Sequence, residues 1–148
     1  MATQPGNPVE EAAAARLREH LVALEQAHTQ GPARFRDVWE RPPTGIGVHE
    51  LDDQGVITRV NSEELRLLGY SESQMLGHPG WEFVVMQGVS QRSIEKKLSG
   101  EKELKPFVRT FQKADGTGIA LLVLDRLIRD AHGRARGIRT ALMVAPSA

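Results

Sequence analysis

Cysteine is absent from the 148-residue chain. Its absence removes disulfides, thiol nucleophiles and thiolate metal ligands together, and is compatible with a reducing cytosol. An excess of one charge is also absent. Nineteen basic residues balance nineteen acidic ones, so no overall field gathers nucleic acid or an anionic membrane surface, and any partner must be recognised locally. No apolar run approaches the ~20 residues of a membrane span; the longest, IALLVL at 119–124, is strand-sized. The opening MATQPGNPVEE lacks the basic-then-apolar order of a secretion signal. The chain therefore reads as soluble, unexported and cytoplasmic. With 40% hydrophobic and 26% charged residues, it fits one globular domain plus a short extra element.

What is present falls into a regular order. Residues 1–8 are small, polar and Pro-bearing, a loose tail. An amphipathic helix is expected over 9–33, with Ala14, Leu17, Leu21 and Leu24 at three- and four-residue steps and Glu10 and Glu11 near its start. Gly31-Pro32 breaks or kinks it, although Phe35 and Val38 keep its register beyond, and RPP at 41–43 ends helical structure. GIGVHEL and VITRV flank the turn DDQG as two antiparallel strands, the second with Val56, Thr58 and Val60 on one face and Ile57 and Arg59 on the other. Asn61 stands as the N-cap of SEELRLL, Gly69 as its left-handed stop, and Ser71 and Gln74 have capping-box spacing.

The segment HPGWEFVVMQG is irregular or briefly helical, and SQRSIEKKLSG forms a third small helix. LKPFVRTFQ, IALLVLDRLIR and RGIRTALMV then read as three strands separated by the turns ADGTG and DAHG. Two early strands and three late ones must share one antiparallel sheet, because neither set alone is wide enough to bury a face. The small helices cross one side of it, leaving the N-terminal helix to cover the other side or to reach a partner.

This order resembles a PAS domain over residues 34–145. The landmarks are RFRDVWERPPTGIGV leading into the first strand, the hairpin and Asn cap in DDQGVITRVN, and the helix pair LRLLGYSESQMLG. Downstream lie the hairpins FQKADGTGIALLV and RDAHGRARGIRTALMV. The resemblance implies an α+β, profilin-like fold with a five-stranded antiparallel sheet in the order 2-1-5-4-3 and short helices on one face. Residues 146–148 form only a C-terminal end. It also implies a sensory or dimerising module of bacterial signal transduction, serving an effector such as a histidine kinase or a cyclic-dinucleotide enzyme. Members that pass a signal onward commonly end in an Asp-hydrophobic-Thr motif, whereas this chain ends ALMVAPSA. The chain is accordingly expected to be either a fragment cut before its effector or a stand-alone protein whose output runs through the N-terminal helix.

The resemblance also constrains cofactors. Flavin photosensors of the family form an adduct through Cys, as do chromophore-binding members of the photoactive yellow protein type, and this chain has none. A non-covalent flavin is left open, with Trp81 as a ring contact, although core packing is the more ordinary role for such a Trp. Haem-binding members use a His on the long helix before the third strand. SQRSIEKKLSG contains no His, His78 lies in the preceding loop, and His20, His28, His49 and His132 show no ligand spacing, so neither haem nor metal is expected. A small organic ligand is allowed by apolar walls, for which the candidates are Trp81, Phe83, Met86, Ile94, Leu98, Phe111 and Leu121. The same residues are equally accounted for as a dry core.

No catalytic constellation emerges. Asp52, Asp53, Asp115 and Asp130 are turn formers beside glycines, and GTG and GIG precede no helix that could bind phosphate. Asp125 is expected to pair with Arg126 and Arg129 on a solvated strand face. The cluster Arg126, Arg129, Arg134, Arg136 and Arg139 is explained by alternation toward solvent, without the interleaved aromatics of a nucleic-acid surface. Two non-enzymatic readings stand: a ligand-binding sensor that alters a dimer, or a ligand-free scaffold that only dimerises. In either, Leu17, Leu21 and Leu24 are the expected homodimer seam.

Overall fold

The computed structural model describes residues 7–101 and 104–146. Helix α1 (Pro8–Gln30) starts where the Asn7 side chain accepts the Glu10 amide at 2.9 Å, with Pro8 in the first turn and two glutamates at the positive end of the dipole. The expected loose tail lies outside the described residues apart from Asn7 and Pro8. Gly31 (φ 123°) ends α1, and Pro32 opens a second helix, α2 (Pro32–Glu40). The expected local break is thus a boundary between two helices.

Strands β1 (Gly47–Asp52) and β2 (Ile57–Val60) form the first hairpin. Three helices follow: α3 (Ser62–Leu68), α4 (Glu72–Met75) and, after a 3-10 turn at Gly80–Phe83, α5 (Gln87–Leu98). Strands β3 (Phe107–Gln112), β4 (Gly118–Arg129) and β5 (Ala135–Val144) complete one antiparallel sheet in the order β2-β1-β5-β4-β3. Early and late strands join edge to edge where β1 pairs with β5. No helix among the described residues is long and apolar enough to cross a membrane.

Each face of the sheet buries its own core. On the outer face Ile46, Val48, Leu122, Leu124, Ala141 and Met143 pack against Leu17, Leu21 and Leu24 of α1 and Phe35 of α2. On the inner face Leu51, Ile57, Leu121, Val123, Ile138 and Leu142 pack beneath α3, α4 and the 3-10 turn, through Leu68, Met75 and Phe83. Burying both faces is what lets helices as short as α3 and α4 persist.

Two expectations need correction. Leu17, Leu21 and Leu24 are fully buried inside their own chain, because the apolar outer face of β1, β4 and β5 lies directly beneath them. A second copy touching α1 would meet the opposite side of the helix, around Ala15, Val22 and Ala23. In β2, strict alternation fails: Leu51 faces Ile57, Glu50 faces Arg59 and His49 faces Val60. The shift leaves Thr58 as an extra residue, so Ile57 and Val60 both turn inward.

Candidate functional site

The site is built on the junction of α3 with β1. Asn61 is the N-cap of α3, and its Oδ1 accepts both the Glu64 amide and the Val48 amide at 3.0 Å, while its Nδ2 donates to the Ile46 carbonyl at 3.3 Å. One side chain therefore starts the helix and ties it to the strand. Gly47 permits the approach: a Cβ there would lie 2.8 Å from Glu64 Cβ. The Glu64 carboxylate, with no exposed surface, is thereby carried over β1, where His49 Nδ1 donates to it at 2.8 and 2.9 Å.

His49 begins a polar row crossing the inner face of three strands. It lies in register with Thr140 of β5, and Thr140 in register with Asp125 of β4. The Thr140 hydroxyl donates to Asp125 Oδ1, and Asp125 Oδ2 accepts from Lys97 Nζ on α5. All four side chains are buried. The expected solvated pairing of Asp125 with Arg126 and Arg129 is corrected accordingly: residue 125 shares the inward parity of Leu121 and Val123, and residue 126 points the other way. Burial pushes the His49 imidazole down, but the charge and hydrogen bond of Glu64, with Asp125 and Glu50 beyond, outweigh it and hold the imidazole above its ordinary pKa. His49 and Glu64 thus pair across the junction of α3 and β1.

Immediately behind this row, a second one crosses the outer face. Glu50, Arg139 and Arg126 are in register on the same three strands. Arg139 donates to Glu50 at 2.8 Å and lies 5.3 Å from the Phe35 ring of α2, whereas Arg126 makes two bonds of 2.9 Å to Glu25 of α1. Arg139 was expected in solvent with the other late arginines, but it is buried by α2.

Between the inner row and α5 lies a cavity of about 40 Å³. Its polar wall is His49, Ser90, Ser93, Lys97, Arg109, Asp125 and Thr140, and its apolar wall includes Leu51, Val84, Ile94, Phe107, Phe111, Val123 and Ile138. Of the seven apolar wall candidates, Ile94 and Phe111 line this cavity. Phe83 and Leu121 are buried in the adjoining core, with Trp81 and Leu98 packed at its margin. Met86 sits at the N-terminus of α5 and is 60% exposed.

The polar groups of the inner row are engaged with one another or with α3 and α5. Thr140 gives its proton to a carboxylate that Lys97 already holds, which makes an electrostatic latch between α5 and the sheet rather than a nucleophile beside a base. The polar wall escaped apolar pattern-reading, although parity points to it: His49, Asp125 and Thr140 share the inward face of their strands with Leu51, Val123 and Ile138.

This geometry has relatives. The sequence pattern of the PAS domain family matches residues 43–143. The chain belongs to the PAS domain family. No curated protein matches the sequence. Among solved structures, the PAS domain of an HTR-like protein from Haloarcula marismortui is similar, with 23% identity and a TM-score of 0.63 over 86% of this chain and 98% of that one. A PAS domain from Colwellia psychrerythraea has 16% identity and a TM-score of 0.66, covering 76% of this chain and 94% of its own. The PAS domain of the RpfR quorum-sensing receptor of Cronobacter turicensis, solved in complex with BDSF, has 14% identity and a TM-score of 0.59, covering 71% and 98%. In this PAS domain the cavity lies between the sheet and α5, with α1 and α2 packed on the reverse side of the same strands.

Proposed function

We propose that this PAS domain is a non-catalytic sensory module. A small ligand enters the inner cavity, and the resulting shift of the sheet reaches α1 and α2, which control the dimerisation or output of an effector such as a histidine kinase or a cyclic-dinucleotide enzyme. The observation carrying this reading is the pair of back-to-back polar rows. His49, Thr140 and Asp125 face the cavity, while their chain neighbours Glu50, Arg139 and Arg126 hold α2 and α1.

Cavity size supports a coupling of binding to motion. A space of about 40 Å³ suits about one to three waters, whereas a six-carbon ring fills ~150 Å³. A ligand larger than water must therefore widen this space, and a displacement of α5, which Lys97 anchors to Asp125, would do so. Any ligand that pays for this displacement with its own contacts shifts the protein toward the displaced state.

The test is native mass spectrometry of the protein as purified, followed by thermal scans with a small-molecule panel. A bound molecule, or a compound that raises Tm in proportion to log concentration, supports the sensor. The same small cavity favours a second reading, a ligand-free scaffold that only dimerises. An empty cavity and a Tm unmoved across the panel would select it.

A further inference from the structure

Resting on that reading of the cavity, we propose that its ligand is a small organic carboxylate with a short apolar chain, its charged head held by Arg109. The starting point is an inversion in β3. Phe107, Arg109 and Phe111 face inward toward α5, while Val108 on the other face is 49% exposed. The strand thus sends a cation inward and a valine outward, against the pattern that burial favours.

The charges around the cavity do not cancel. His49 is paired with Glu64, and Lys97 with Asp125. Arg109 makes no ion pair with a carboxylate among the described residues; its guanidinium carbon lies 5.0 Å from the centroid of the Phe107 ring, and Lys97 Nζ lies 4.1 Å from the same centroid. One unmatched positive charge therefore lines a cavity whose remaining wall is largely apolar. Buried Ser90 and Ser93 also line it from α5. A planar carboxylate matches the guanidinium fork.

At the inner end Lys97 is already held by Asp125 and His49 by Glu64, so the head stays beside Arg109 and the chain runs inward past Ile94, Val123 and Ile138. The chain must be short, since even ~150 Å³ takes on the order of six carbons.

The probes are hexanoate and hexanamide, which share a shape and differ in charge. Titration is followed at neutral pH by methyl resonances of Ile94 and Ile138 on the full chain. Hexanoate is expected to bind at least about tenfold more tightly than hexanamide. Arg109→Gln should abolish that preference while leaving hexanamide unchanged, and Arg109→Lys should retain part of it; circular dichroism verifies that both variants fold. Equal affinity for the two probes overturns the carboxylate assignment and leaves the sensor reading in place. No cavity response to either probe overturns the assignment, and the sensor reading falls with it only if the wider panel also leaves Tm unmoved. An inward charge on an edge strand can also discourage edge-to-edge pairing. If Arg109→Gln promotes aggregation but leaves hexanoate affinity intact, Arg109 has that protective role and the assignment is overturned.

Discussion

Asp125 and Arg126 are consecutive residues of β4 that point to opposite faces of the sheet, the first gripping α5 through Lys97 and the second gripping α1 through Glu25. A change in the twist of β4 is therefore felt by both helices. The two grips differ in strength. Lys97 and Asp125 are both buried, whereas Arg126 and Glu25 are 42% and 35% exposed at their side chains, so solvent screens the outer pair to about 1 kcal/mol or less.

Lys97→Met should strand the Asp125 carboxylate in the core with only Thr140 as a donor. The expected loss is about 3–5 kcal/mol, the usual result of removing one partner from a buried ion pair. Adding Asp125→Leu should restore at least half of that loss, because the desolvation cost disappears with the charge. Urea unfolding of the wild type, the single variant and the double variant measures both effects. A single variant as stable as wild type would mean that water reaches Asp125 freely.

Leu21→Glu should unfold the domain rather than merely separate two copies. Its side chain is fully buried against the outer face of the sheet, so the variant combines a lost apolar contact with a buried charge. A cost of about 4 kcal/mol or more is expected, a large share of the roughly 5–15 kcal/mol that holds a domain together. Val22→Glu, on the opposite side of α1, should keep the wild-type melting curve. Thermal unfolding distinguishes the pair, and sizing of Val22→Glu shows whether that side of the helix holds a second copy.

The fold was legible because its punctuation is local. Gly69, Ser71 and Gln74 act within a few residues of themselves, as Asn61 does in capping α3, and the caps they form are those their spacing implies; the bonds from Asn61 to Ile46 and Val48 were not legible in that spacing. The site was less legible because its members meet across the sheet: His49, Thr140 and Asp125 are adjacent only once β1, β5 and β4 are in register. The leucines of α1 illustrate the same limit. Their spacing defines an apolar stripe, but an apolar stripe fits a sheet as well as a second helix, and only the outer core decides between them.

Gly47→Ala should push α3 away from β1. The new methyl would lie 2.8 Å from both Glu64 Cβ and Leu142 Cδ1, and 2.9 Å from Glu64 Cα. Because a helix backbone cannot yield as a side-chain tip does, a loss of about 1–3 kcal/mol is expected. The His49–Glu64 bond should weaken with it. Urea unfolding gives the first effect, and the pH at which the His49 ring resonances titrate gives the second, moving downward in the variant.

Stability should depend on pH in opposite senses through two buried histidines. His49 has a raised pKa, so its contribution is fully present below the unfolded value of about 6.5 and is lost as pH rises through the folded value. The pKa of His20 on α1 is lowered by burial, and its Nε2 has no hydrogen-bond partner among the described residues. Its contribution is complete above about 6.5 and is lost as pH falls below that value toward the folded one. His49→Gln should therefore flatten the alkaline side of a stability profile, and His20→Leu the acidic side. The second change should also raise stability by about 1 kcal/mol, because it removes an unsatisfied buried nitrogen. Urea midpoints measured from pH 5 to pH 9 follow both; an acidic limb that survives His20→Leu would place the responsible proton on another group.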